Sequence, residues 1–321
     1  MALGLAVGAR RLGCLYAAGS LIGGFILPAE FCYTVVMSAE EIIINAKPFR
    51  FVKQSRRGEV AVYTCGELYA RVGKRETVER ILKLHKKFDG LGFPVPEIVG
   101  TGEISSDAYY LEKSIGEKPF SFLFEDDIKK YGVVSPELFE KFISISEKFA
   151  LAQLNSVVHD KTAASITDII RPTDLAEELP EFGEKILKLY DEAVSALRVF
   201  PTVLTHGDFC SHNLFPKGII DFEKEYYAPA GYDIVTNIFQ NKYFPASREY
   251  EYFQFYVLTE EHFDLYYRRL GALYRKAGLP ELSEYRRHFE YCRAVWHTAR
   301  NQRVPKLQKW RYEFFKKQYL I

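Results

Sequence analysis

Methionine is nearly absent, with only Met1 and Met37 in 321 residues. Cysteine is sparse as well. Cys14, Cys32, Cys65, Cys210 and Cys292 are odd in number and nowhere spaced as CxxC. That pattern argues against a disulfide framework and a cysteine zinc site, and suits a reducing compartment. A dominant charge sign is missing too. With 43 Lys and Arg against 42 Asp and Glu the formal charge is +1, so no global field draws the chain to nucleic acid or to acidic partners. Internal repeats and low-complexity tracts are absent, which sets repeat arrays aside.

Apolar and aromatic residues are plentiful. Hydrophobic residues make up 48% of the chain, including 25 Phe and 22 Tyr, enough for two lobes that each bury a core. Charge is biased only locally: basic over residues 47–89 and 268–317, acidic over 174–192. These stretches read as solvated helix faces.

"FRFVKQ", "EVAVYTC" and "ELYARVG" alternate apolar and polar residues, as a half-buried antiparallel sheet requires. Turns at Gly58 ("SRRGE") and Gly66 ("CGE") separate them. A helix is expected over residues 74–88, with Val78, Ile81, Leu82, His85 and Phe88 on one face, stopped by "DGLGFPVP". "DAYYLEKSIG" reads as a further strand running into a hinge. Beyond Gly116 the pattern turns helical. Ser135 and Pro136 open a core helix with Leu138, Phe142, Ile145, Phe149 and Ala152 inward. A second helical stretch is interrupted at Pro180, and Tyr285, Phe289, Cys292, Trp296 and Ala299 mark a third buried stripe. Two short apolar runs, "TVLTH" and "GIIDF", flank "HGDFCSHN".

That flanked loop carries the chemistry. Phosphoryl transfer needs a group that orients or deprotonates the acceptor hydroxyl, oxygen ligands for a divalent cation, and positive charge along the phosphates. Asp208 and Asn213 on one loop, with Asp221 closing the next apolar run, offer two carboxylates and an amide oxygen around a tight turn.

"HGDFCSHN", "IIDFE" and "GYDIV" together resemble the catalytic region of the aminoglycoside phosphotransferase and choline kinase-like family. The resemblance implies a two-lobed α+β protein-kinase-like fold, with a small antiparallel-sheet N-lobe bearing one helix and a larger, mainly helical C-lobe. Residues 37–116 would form the nucleotide-binding lobe and residues 117–321 the catalytic and substrate-binding lobe. It implies an enzyme that uses ATP and Mg²⁺ to phosphorylate a hydroxyl of a small molecule such as an aminoglycoside, amino alcohol or sugar. Asp208 would be the catalytic base or orienting group, Asn213 and Asp221 the metal ligands. His206 would hold the loop in shape, and Asp233 would brace it from the following helix. On the ATP side the resemblance points to Gly58 at the nucleotide-covering turn and to Arg71 where relatives carry Lys or Arg. Glu76, in preference to Glu79, would pair with Arg71, and the hinge at Glu112, Lys113 and Ser114 would meet the adenine. Arg is not equivalent to Lys at such a site, and "DFE" in place of "DFG" implies no activation loop of the protein-kinase kind. Cys210 reads as loop filler, and His212 as a loop-surface histidine in preference to one that points at the acceptor.

The acceptor stays open. A polyamine would need an acidic wall, for which Glu177, Glu178, Glu181 and Glu184 are candidates, and the basic C-terminal stretch equally suits an acidic acceptor. A catalytically silent kinase-like binding module is the alternative from another class, and retention of Asp208, Asn213 and Asp221 together speaks against it. Nucleic acid is not expected as a partner.

Residues 1–36 are expected to be an extension outside the fold, with "MSAEE" at Met37 reading as a beginning. The uncharged stretch after Arg11 is alternatively a leader or a membrane anchor at residues 12–29. The anchor would place the bulk of the chain outside, away from ATP. The expected location is therefore cytoplasmic, without stable membrane association unless that anchor is real.

Overall fold

The computed structural model describes residues 40–55, 58–158, 166, 170–222, 226–254, 256–299 and 304–321. The expected extension over residues 1–36, and with it the anchor alternative, lies outside the described residues, as do Arg56, Arg57 and Glu223 of the quoted motifs.

The alternating segments become a six-stranded, wholly antiparallel sheet in the order β1-β2-β3-β4-β6-β5. Its strands are β1 (Glu41–Ile44), β2 (Lys47–Gln54), β3 (Val60–Thr64), β4 (Leu68–Gly73), β5 (Ile98–Ile104) and β6 (Asp107–Lys113). β1 and β5, not expected from the sequence, are the two edges. Half-buried edge strands lack the strong alternation that marks a central strand, and β5 carries two glycines. The period of two is plain on β6. Tyr109 and Leu111 join Phe49, Tyr63, Ala70 and Val72 on one face, while Ala108 and Tyr110 meet Val78 of the helix α1 (Arg75–Gly90) on the other.

The rest is mainly helical. α2 (Phe120–Tyr131) and α3 (Pro136–Leu154) come first, with Ser135 Oγ accepting from the Leu138 N–H as the N-cap. α4 (Pro172–Glu178) and α5 (Gly183–Leu197) follow, separated by a 3₁₀ turn at Pro180–Phe182, where the missing N–H of proline ends the first helix. Next come the short strands β7 (Thr202–Thr205), β8 (Leu214–Phe215), β9 (Gly218–Ile219) and β10 (Tyr226–Pro229). The chain finishes with α6 (Tyr232–Phe239), α7 (Glu260–Lys276), α8 (Leu282–Ala299) and α9 (Pro305–Phe315). Among the described residues no helix is long and apolar enough to cross a membrane.

One aromatic chain joins the two parts. Phe88 at the end of α1 packs on Phe93 (centroids 4.9 Å apart) and on Phe222 (4.1 Å), Phe93 reaches Phe149 of α3 (5.1 Å), and Phe149 stacks on Phe209 (3.9 Å). Phe209 and Phe222 follow Asp208 and Asp221 directly, so the core reaches to within one residue of both carboxylates. The β8–β9 hairpin docks on the segments that follow α1 and β6. Ile219 N–H donates to Pro94 O (2.8 Å) and Lys217 N–H to Ile115 O (3.1 Å). A Cβ at Gly218 would lie 2.5 Å from Pro94 O, so only glycine lets the hairpin sit this close.

Candidate active site

The loop between β7 and β8 is tied at several of its polar groups. Gly207 has φ +76°, and a Cβ there would meet the Tyr226 ring at 2.7 Å, so the reversal into Asp208 needs glycine. His206, almost fully buried, uses both ring nitrogens. Nδ1 accepts from Asp208 N–H (3.2 Å), which leaves the proton on Nε2, and Nε2 donates to Ile220 O (2.8 Å). The ring thus stitches the start of the loop to the segment before Asp221.

Asp233, in the first turn of α6 and wholly buried, accepts from His206 N–H (2.7 Å) and Gly207 N–H (3.2 Å). Gln153, at the end of α3, donates to the same carboxylate (3.0 Å) and to Leu204 O of β7 (3.1 Å). Burial pushes the Asp233 carboxyl above its ordinary pKa, against the opposing pull of His206, Arg293 and the two backbone donors. Asp233 therefore lies against the loop as the resemblance implies. Gln153 carries no such signal, since in sequence it is one more residue of a core helix.

Asn213 donates its amide to Asp208 O (2.9 Å) and, weakly, to Oδ2 (3.4 Å), leaving its carbonyl oxygen as the remaining group. Ile220 N–H donates to Asn213 O (3.1 Å), extending the β8–β9 pairing and bringing Asp221 beside Asn213. Asp221 is exposed, with φ +67°, a left-handed conformation that costs a non-glycine residue about 1–2 kcal/mol. His206 and Asn213 bond Ile220 ahead of it, and Phe222 behind it packs on His206 (4.6 Å). Fixed on both sides, Asp221 keeps the strained geometry. An amide oxygen and an exposed carboxylate, on segments joined by that backbone bond, are the donor types that a hard cation takes together with phosphates and water. Among the described residues no group of three or more His, Cys, Asp and Glu converges as a metal cage.

Asp208 itself is half-buried, and Arg293 of α8 donates to its Oδ1 (3.0 Å) and to Gly207 O (2.9 Å). Sequence reasoning misses Arg293 because it sits inside the apolar stripe of Phe289, Cys292 and Trp296, in a stretch whose charges read as solvated. The structure buries Arg293 and Arg311 instead. Cys210 is buried, its thiol pushed well above the ordinary pKa by burial and by Asp208. Burial lowers His212, against the pull of Asp208.

On the sheet side one expected pairing is corrected. Arg71 pairs with Glu112 (Nε to Oε1, 2.7 Å), not with Glu76, which is exposed in the first turn of α1. The β4–β6 register sets Arg71 opposite Tyr110, so Glu112 two residues along lies on the same face of the sheet. Burial works against the charge of Arg71, and Glu112, Tyr110 and Asp221 outweigh it, raising its pKa. Arg71 thus lies within electrostatic reach of Asp221. Lys113 is exposed and paired with Glu97 (2.7 Å), and Ser114 Oγ bonds the Gly116 backbone. Gly58, at the exposed β2–β3 turn, has φ +69°, and a Cβ added there would meet no atom within 4 Å. Two of the acidic-wall candidates turn elsewhere: Glu178 accepts from the Tyr312 hydroxyl (2.8 Å) and Glu181 pairs with Lys316 (3.4 Å).

The family model described as the phosphotransferase enzyme family (APH) matches residues 64–285, more than half of the chain. The chain belongs to the phosphotransferase enzyme family. It is accordingly a phosphotransferase, of mixed α+β build with an antiparallel sheet followed by a mainly helical part. No curated protein matches this phosphotransferase in sequence. Among solved structures it is similar to the aminoglycoside phosphotransferase APH(3'')-Id from Streptomyces rimosus, in complex with ADP and streptomycin. Identity is 13%, over 77% of this chain and 92% of that one, with TM-score 0.46. It is also similar to a choline/ethanolamine kinase family protein from Mesorhizobium loti (14% identity, 84% and 92% covered, TM-score 0.40). An ethanolamine kinase from Plasmodium vivax gives 15% identity, 85% and 79% covered, and TM-score 0.43.

Proposed function

We propose that this phosphotransferase moves the γ-phosphate of ATP to a hydroxyl of a small molecule, with Asp208 as the base or orienting group. The observation that carries the reading is the loop itself: Asp208, Asn213 and Asp221 held around one turn by His206 and Asp233. Asn213 and Asp221 would hold Mg²⁺, which neutralises charge on the phosphates when bound. Asp208 Oδ2 orients the acceptor hydroxyl and takes up its proton as the new phosphate ester forms. His206 and Asp233 keep the loop backbone fixed, so that carboxylate and acceptor meet in one geometry. Arg71, steadied by Glu112, supplies positive charge toward the phosphates. The linker at Glu112, Lys113 and Ser114 offers backbone groups to the base, and Gly58 lies in the turn that would cover the phosphates. Residues 37–116 would then form the nucleotide-binding lobe and residues 117–321 the catalytic lobe of an enzyme at work in the cytoplasm.

The acceptor belongs to the class of hydroxylated small molecules: aminoglycosides, amino alcohols or sugars. A screen of such compounds for ATP-dependent phosphate acceptance, with Mg²⁺ and with a chelator, tests the reading. Turnover with at least one acceptor, abolished by chelation and by Asp208→Asn, is expected. Nucleotide binding without turnover on any acceptor would favour a silent binding module.

A further inference from the structure

The arginine on Asp208 is built into its helix and is not a chance surface pair. Arg293 is fully buried, and its guanidinium lies over the Trp296 ring (4.0 Å to the centroid). Its Nε donates to His297 Nε2 (3.1 Å), and the His297 ring stacks on Tyr243 (5.4 Å, interplanar angle 27°). Arg293, Trp296 and His297 stand at i, i+3 and i+4, hence on one face of α8. One face of the guanidinium and its Nε edge are thus fixed before it meets the loop. The two remaining nitrogens then take Asp208 Oδ1 and Gly207 O, spanning the side chain of one loop residue and the backbone of its neighbour. Burial opposes the charge of Arg293, and Tyr232 and Asp208 outweigh it. Asp208 is therefore the carboxylate that balances a buried cation as well as the group that faces the acceptor.

We propose that Arg293 is a positioning residue for phosphoryl transfer: it pins Asp208 through Oδ1 and the loop through Gly207 O, so that Oδ2 alone is presented to the acceptor hydroxyl. This rests on the role proposed for Asp208. Arg293 lies beyond residues 64–285 that match the family model, so the matched segment does not contain it. An oxygen already donated to by a guanidinium is a poor proton acceptor, and Oδ2, touched only by the long contact from the Asn213 amide (3.4 Å), keeps a fixed direction. The arrangement favours orienting a hydroxyl over stripping it of its proton, which suits a transition state with little bonding to the nucleophile. The clamp also changes what an alanine variant reports. Asp208→Ala would strand a buried arginine and destabilise the fold, so loss of activity in that variant would not isolate the chemistry. Asp208→Asn keeps an oxygen for Arg293.

The experiment has two arms. In the kinetic arm, Arg293→Lys and Arg293→Ala are compared with the wild type for kcat and for KM of ATP, with ADP-induced melting shifts as the check on folding. The expected result is a kcat at least about tenfold lower in both, since small misplacements of a reacting group cost up to about a hundredfold. KM for ATP should stay within about threefold, and millimolar guanidinium, unlike sodium chloride at equal ionic strength, should partly restore Arg293→Ala. A kcat within about threefold of wild type in both variants overturns the proposal. So does a loss that guanidinium leaves unmoved in a protein that binds ADP normally. Failure of both variants to bind ADP also overturns it, because the arginine would then hold the fold rather than the carboxylate. In the second arm, melting without nucleotide is measured for Arg293→Met, Asp208→Asn and the double variant. The double should lose less than the sum of the singles, whereas additive losses would deny the clamp. A wild type without ATP turnover on any acceptor would sink the phosphotransfer reading, while the melting arm still decides the clamp.

Discussion

The loop after β7 and the turn between β2 and β3, both part of the proposed site, are built in opposite ways. The loop after β7 draws its partners from elsewhere in the fold: Ile220 after β9, Asp233 of α6 (itself held by Gln153 of α3) and Arg293 of α8. The turn between β2 and β3 is local. Gly58 N–H donates to Ser55 O, Ser55 Oγ accepts from Val60 N–H, and Gly58 itself is exposed. The first turn owes its shape to the tertiary fold, the second to its own few residues. Substitutions in the first should therefore damage chemistry and stability together, and those in the second should do little of either.

The largest expected effect is on chemistry. Asp208→Asn should lower kcat by about 10²–10⁴-fold, with the ADP-induced melting shift unchanged, as steady-state kinetics beside thermal melts would read. Next comes the brace. Asp233→Ala leaves the buried N–H groups of His206 and Gly207 and the Gln153 amide without their acceptor, and should cost about 2–4 kcal/mol in urea unfolding, with kcat reduced as well. A smaller effect separates the two carboxylates near Arg71. Glu112→Gln should raise KM for ATP by about fivefold, equivalent to about 1 kcal/mol of uniform binding. Glu76→Gln should leave both KM and stability within the ordinary surface range of about 0.5 kcal/mol. Gly58→Ala should also be mild. There the methyl meets no atom within 4 Å, so only the left-handed backbone resists, at about 1 kcal/mol. KM for ATP should move by no more than about twofold.

The same contrast explains what the sequence disclosed. Features set by local rules were legible: the alternation in β2, β3, β4 and β6, the Ser135 cap, the break at Pro180, and the spacing of Asp208, Asn213 and Asp221. Asp233 was reachable because its motif lies close behind the loop. The partner of Arg71 was not, since the resemblance implies a glutamate of α1, with Glu76 preferred to Glu79, while the choice is made by strand register, which places Glu112 two residues from the one opposite Arg71. Arg293 was hidden more deeply. In a basic stretch a buried arginine looks like its solvated neighbours, and its carboxylate lies 85 residues earlier in the chain. Only the packing of α8 against the loop separates the two cases.

The most direct measurement is single-turnover transfer of labelled γ-phosphate from ATP to a hydroxylated acceptor, run on wild type and Asp208→Asn with ADP binding matched by melting shift. The expected result is Mg²⁺-dependent labelling of the acceptor by the wild type, with transfer by Asp208→Asn slower by about a hundredfold or more. Equal rates in the two proteins would contradict the role given to Asp208, and with it the function proposed for the loop.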